Sequence, residues 1–126
     1  MKIRYYGAAA IFAVAVLGFN FAGKTLVPET SQTPSAEFII IMKDDKYEPQ
    51  NPEIKKGTKV IFKNTSTEPR WPASNIHPTH GIYPEFDPRE PVPSGSEWSF
   101  VFEKAGRWKY HDHLVPLIRG EITVIP

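Results

Sequence analysis

A chain of 126 residues with 15 basic and 14 acidic side chains has room for one domain and offers no basic face to a nucleic acid. The absence of cysteine excludes disulfides, thiolate catalysis and any thiolate-bound metal. Thirteen prolines and 13 % aromatic residues favour turns and strands over helices.

The chain opens on Met1-Lys2-Ile3-Arg4, a short basic segment, followed by an uncharged run from Tyr5 to Gly23 that Lys24 closes. This is the pattern of an export signal, and a run of ~19 residues is about what one helix needs to cross the hydrocarbon core. No small-residue cleavage site stands out. Residues 1–24 are therefore expected to be a signal-anchor that crosses the cell membrane once, with a secreted protein as the outcome if the segment is cleaved. The basic end should stay in the cytoplasm, which puts the remainder on the extracytoplasmic side, periplasmic or extracellular. Residues 25–35 are polar, contain Pro28 and Pro34, and read as a flexible tether. Without Lys2, Arg4, Lys24 and Glu29 the rest of the chain carries 12 basic and 13 acidic residues, so it has no excess positive charge.

Glu37 to Met42 is apolar and β-branched and reads as a buried first strand. Residues 43–50 are charged and turn-like around Tyr47 and Pro49. Pro52 to Lys56 suits a short edge strand, where proline is tolerated. Gly57-Thr58 turns the chain into a half-alternating strand, Lys59 to Asn64. Seven prolines among the 25 residues from Pro69 to Pro93 forbid a long strand or helix, and so long a loop in a compact domain usually has a function. Glu97 to Phe102 alternates, with Trp98, Phe100 and Phe102 on one face. Ala105-Gly106 makes a turn, Trp108 and Tyr110 carry an alternation that reaches Asp112, and Glu121 to Ile125 is the closing strand. Short strands between turn signals, without internal repeats, give an all-β sandwich or barrel over residues 36–126.

The four histidines occupy two places only: His77 and His80 in the proline-rich loop, His111 and His113 at the end of the aromatic strand. Residues two apart on a strand share a face, and neutral imidazole suits copper and zinc. His113, His77, His80 and His111, in that order, are the candidate metal ligands. The plain alternative is that these rings only bond backbone carbonyls. Asp112 is a candidate oxygen ligand, or a carboxylate that orients an imidazole. Glu85 and Asp87 are read as solvated loop residues. No two acids are placed to meet around a cleft, and Ser74, Ser94 and Ser96 lie in no nucleophile turn, so hydrolysis is not expected.

The segment Tyr47-x-Pro49, then Ile54-Lys55-Lys56-Gly57-Thr58-Lys59-Val60-Ile61-Phe62-Lys63-Asn64, resembles the first half of a cupredoxin, the plastocyanin-like copper domain. Val92-Pro93-Ser94-Gly95-Ser96, Phe102-Glu103-Lys104-Ala105-Gly106, Tyr110 and Arg119-Gly120-Glu121-Ile122-Thr123-Val124 are similar to its second half. The resemblance covers about residues 36–126 and implies a Greek-key β-sandwich. It also implies a copper loop between Tyr110 and Gly120. There Asp112 stands in the place of the family's cysteine, Val115 in that of its histidine and Ile118 in that of its methionine. A blue-copper centre needs the thiolate, so plastocyanin-type electron transfer does not carry over.

The strand geometry then makes a demand. If Trp108, Tyr110 and Asp112 point inward, Asp112 faces the copper cavity and His111 faces away. A bulge that shifts the register would bring both histidines in and turn Asp112 out. The leading function is a membrane-tethered, extracytoplasmic domain that binds copper, or zinc, through a histidine-rich site for storage, delivery or detoxification. The second is a metal-free module whose loop, with Trp71, Ile76, Ile82, Tyr83 and Phe86, presents an aromatic surface to a protein partner. A copper-dependent redox enzyme is a third, weaker reading. No catalytic role is expected for the domain by itself.

Overall fold

The computed structural model describes residues 35–126. The expected signal-anchor at 1–24, and the tether up to residue 34, lie outside the described residues. Among the described residues no helix is long and apolar enough to cross a membrane.

Among the described residues eight strands form two four-stranded sheets. The first sheet contains β1 (Glu37–Met42), β2 (Tyr47–Glu48), β4 (Lys59–Asn64) and β6 (Glu97–Val101), in the order β2-β1-β4-β6. The second contains β3 (Glu53–Lys55), β5 (Pro72–Ser74), β7 (Gly106–Asp112) and β8 (Arg119–Ile125), in the order β3-β8-β7-β5. β1 runs parallel to β4 and β3 parallel to β8; the other pairs are antiparallel. The expected all-β sandwich is thus present.

Alternation along the strands builds the core. Ile40 and Met42 on β1, Val60 and Phe62 on β4, and Tyr110, Ile122 and Val124 on β7 and β8 are all buried. Phe102 and Phe86 close the same apolar cluster, with Trp98, Phe100 and Trp108 packed against it. Burial of each such side chain stabilises the fold by roughly 1.5–3 kcal/mol. Gly120 faces Tyr110 across the β7–β8 ladder. A Cβ there would collide with the Tyr110 ring and the Gln50 carbonyl, the same carbonyl that accepts the Tyr110 hydroxyl at 2.9 Å.

Two strands escape a reading by pattern. Residues 43–50, expected to be turn throughout, contain β2, where Tyr47 pairs with Met42 and buries its ring. The proline-rich loop contains β5, three residues that pair with β7. Neither is long enough to show a period of its own. Both are held by a neighbouring strand.

Candidate metal centre

The inward alternation of β7 holds to its end. Tyr110 and Asp112 both point between the sheets and are fully buried. His111 therefore lies on the outer face of the second sheet, and His113, one residue past the strand, follows it there. No bulge is needed, because the loop between β5 and β6 comes to that outer face. The site forms on the side of the strand opposite to the interior cavity.

β5 prepares the place. Ala73 lies directly opposite His111 and shares its face, so only a methyl group stands where the imidazole must sit. The His113 N–H donates to the Trp71 carbonyl at 2.8 Å, and the two rings lie 4.6 Å apart, centroid to centroid. The loop is then pinned to β5 and β7. The Ser74 hydroxyl reaches the carbonyls of His80 at 2.8 Å and Tyr83 at 2.9 Å. The Asn75 N–H donates to the Lys109 carbonyl at 2.9 Å. His80 itself sits in the left-handed region, with φ at 54°, where histidine is found more often than most residues with a side chain.

The result is convergence. His77, His80, His111 and His113 each offer a ring nitrogen, and these four atoms lie within 4.8 Å of one another. His77 Nδ1 is 3.2 Å from His111 Nε2, and His80 Nε2 is 2.9 Å from His113 Nδ1. Two of the rings are fixed from behind. His80 Nδ1 lies 2.7 Å from Asp87 Oδ2, and His111 Nδ1 lies 2.9 Å from Asn75 Oδ1. Both partners are acceptors, so these nitrogens carry the protons and the lone pairs point inward from His80 Nε2 and His111 Nε2. The other two rings must then give a proton to those lone pairs. A metal ion would replace both protons, and the outer Nε2 of His77 and His113 would take them up. His77 is exposed and His113 half-buried, so water has access to that exchange.

The electrostatics favour neutral rings at His111 and His113. Burial, and then the neighbouring imidazoles His80, His77 and His113, push His111 down to about 4. The same causes lower His113. Burial opposes ionisation of Asp87, but hydrogen bonds from the Arg89 N–H, His80 and Trp71 outweigh it and hold the carboxyl below its usual range. Asp87 is thus a carboxylate ready to orient His80.

Metal–imidazole bonds of about 2.0–2.1 Å place ligand nitrogens roughly 3–4 Å apart, so a small contraction of the cluster suffices. The donor set is nitrogen only. It contains no thiolate, and it fits copper(II) or zinc rather than a blue-copper centre.

Asp112 does not join the four. Its Oδ2 accepts the Tyr47 hydroxyl at 2.7 Å and the Trp71 N–H at 3.2 Å, and its Oδ1 accepts the Leu114 and Val115 N–H groups at 2.8 and 2.9 Å. Arg70 Nε is 3.9 Å away. Asp112, a candidate oxygen ligand or orienting carboxylate, meets no imidazole; it ties the two sheets together and caps the turn after His113. Asp87, expected to be solvated, orients His80. Asn75 meets His111 without any signal in the sequence, since an asparagine in a loop carries none until its fold neighbour is known. Glu85 is exposed and pairs with Lys104, as expected of a loop acid. Tyr83 and Phe86, expected on the loop surface, are buried in the core; Ile76 and Ile82 are the exposed ones.

Comparison with known proteins agrees with the fold. Amicyanin of Paracoccus denitrificans is 27 % identical over 129 residues, covering 98 % of this chain and 95 % of that protein. A reduced amicyanin mutant superposes with a TM-score of 0.62 at 21 % identity, covering 75 % of this chain and 87 % of the other. A purple cupredoxin from Nitrosopumilus maritimus gives a TM-score of 0.60 at 28 % identity, covering 72 % of this chain and all of that one. Other amicyanin mutants in the same fold are Cu(I) forms. The family model for a cupredoxin-like domain matches residues 9–124, and the chain belongs to that family.

Proposed function

We propose that this protein is a copper-binding domain that holds the ion through His77, His80, His111 and His113, on the outer face of the second sheet. The observation that carries this reading is the meeting of four imidazole nitrogens within 4.8 Å. Cu(I) forms of amicyanin favour copper as the ion, and divalent copper binds nitrogen sites more tightly than zinc does. His80 and His111 are the fixed ligands, oriented by Asp87 and Asn75. His77 and His113 complete the set by changing tautomer. Bound copper would supply a redox-active, Lewis-acidic cation in a nitrogen field, without the intense colour of a thiolate complex.

Storage, delivery or detoxification suits such a site. The apolar side chains of Ile76, Ile82, Leu114 and Leu117 are exposed on loops that carry the histidines. A transient protein partner that gives or takes the ion would dock there. The basic start and uncharged run of residues 1–24 favour a domain tethered to the membrane and facing outward.

The test is calorimetric titration of the full chain with Cu(II) and with Zn(II). One equivalent of copper, bound more tightly than micromolar, is expected. No binding tighter than millimolar overturns the reading, and a stronger response to zinc reassigns the metal. The exposed apolar side chains also allow a metal-free interaction module. In that case replacing His77 and His113 together with alanine leaves both partner capture and fold unchanged.

A further inference from the structure

Beside the histidines lies an open cleft of about 210 Å³, lined by Asn75, Ile76, His77, His111, Pro116 and Arg119. A water molecule occupies about 30 Å³ of liquid, so the cleft holds a small ion together with its water. Two of its lining residues are His77 and His111, which places it against the proposed metal.

We propose that this cleft binds a small monoanion, which ligates the histidine-bound metal at one end and meets the Arg119 guanidinium at the other. This rests on the metal reading above. Three observations carry it. First, Arg119 stands directly opposite His111 across the β7–β8 ladder, so the two side chains share the outer face. Second, Arg119 Nε donates to the Pro116 carbonyl at 2.9 Å, which steadies the guanidinium and leaves its two terminal nitrogens with hydrogens to give. Third, Arg70, Arg89 and Arg107 each have a carboxylate within 4.0 Å, and among the described residues Arg119 has none.

Arg119 is exposed, and what sets it apart is its place on the cleft beside the histidines. Four neutral imidazoles leave the full charge of a bound divalent ion in place. The carboxylate at the cluster, Asp87, is already shared by His80, Trp71 and Arg89. A guanidinium beside that ion is repelled unless something negative lies between them. A monoanion with one atom to bond the metal and another to accept from Arg119 lies between the two cations and lessens their repulsion, and charge-assisted hydrogen bonds of this type are the strong ones. A carboxylate or a small inorganic anion meets the description; a bulky ligand does not suit a cleft flanked by Ile76 and Pro116.

The experiment loads the full chain with one equivalent of Cu(II) and titrates it with azide, then with acetate, following the electron paramagnetic resonance and absorption spectra. Wild type is expected to saturate, with an azide-to-copper band. Arg119→Gln is expected to bind copper with unchanged stoichiometry but azide at least about tenfold more weakly, the size of one charge-assisted hydrogen bond. Arg107→Gln, whose residue pairs with Glu121, should behave as wild type. Saturation by azide and not acetate narrows the class to inorganic anions. Copper uptake without an anion response, or equal azide affinity in Arg119→Gln, overturns this inference and leaves the metal reading standing. Failure to take up copper overturns both.

Discussion

The two faces of β7 at its outer end carry the same kind of chemistry to opposite ends. On the inner face Asp112 is fully buried, and hydrogen-bond donors of the protein itself meet both of its oxygens. On the outer face His111 and His113 meet His77 and His80 nitrogen to nitrogen, where each close pair holds only by the sharing of one proton. The inner group is closed and its role is structural. The outer group is closed by those shared protons, which in the reading proposed above a cation would replace. A polar cluster closed by fixed donors holds a fold together, and one closed only by protons that tautomers can move is able to exchange them for a metal ion.

Substitutions on the two faces should therefore fail in different ways. The largest effect is expected from Asp112→Ala, which strips the partner from the buried Tyr47 hydroxyl and from three backbone N–H groups. A loss of roughly 3–5 kcal/mol is expected in urea unfolding. A loss below about 1 kcal/mol would show that Asp112 is not the tie between the sheets.

His80→Ala and His111→Ala belong to the other face. Each should weaken copper binding by more than about 100-fold, beyond the usual effect of an outer partner, while the metal-free protein keeps its unfolding midpoint within about 0.5–1 kcal/mol. Equal copper affinity in both variants would remove these rings from the site. Asp87→Asn touches the orientation of His80 without deleting a ligand, and a weakening of roughly 10–100-fold is expected by the same titration.

The last effect is on pH. His111 has an ordinary value of 6.5 and is pushed down to about 4 in the fold, chiefly by burial. Between these values the unfolded chain binds a proton that the folded one does not. The stability this group contributes is present above pH 6.5 and is lost as the pH falls toward 4. Metal-free wild type should unfold at progressively lower urea over that window. His111→Gln should show a shallower slope, and an unchanged slope would mean that His111 titrates alike in both states.

Much of the fold was legible along the chain. β1 and β4 have the bounds that their apolar patterns suggest, because each strand buries alternate residues against the other sheet. The Tyr110–Gly120 frame was legible too, and so was the confinement of histidine to two short stretches. β2 and β5 were not, since two or three residues cannot announce a period. Nor was the role of Asp87, whose partners His80, Trp71 and Arg89 lie up to 16 residues away in a loop without regular structure.

What the sequence by itself determined was therefore the sandwich, the lack of a thiolate, and a set of four imidazoles. Hydrophobic alternation and residue chemistry are local, and they survive without knowledge of the rest of the chain. Only the tertiary structure decided which face of β7 carries the site. Strand parity forces His111 and Asp112 to opposite sides, but parity alone cannot say where a loop of 25 residues will settle. That was decided by Ala73 opposite His111, and by Ser74 and Asn75 pinning the loop to the sheet.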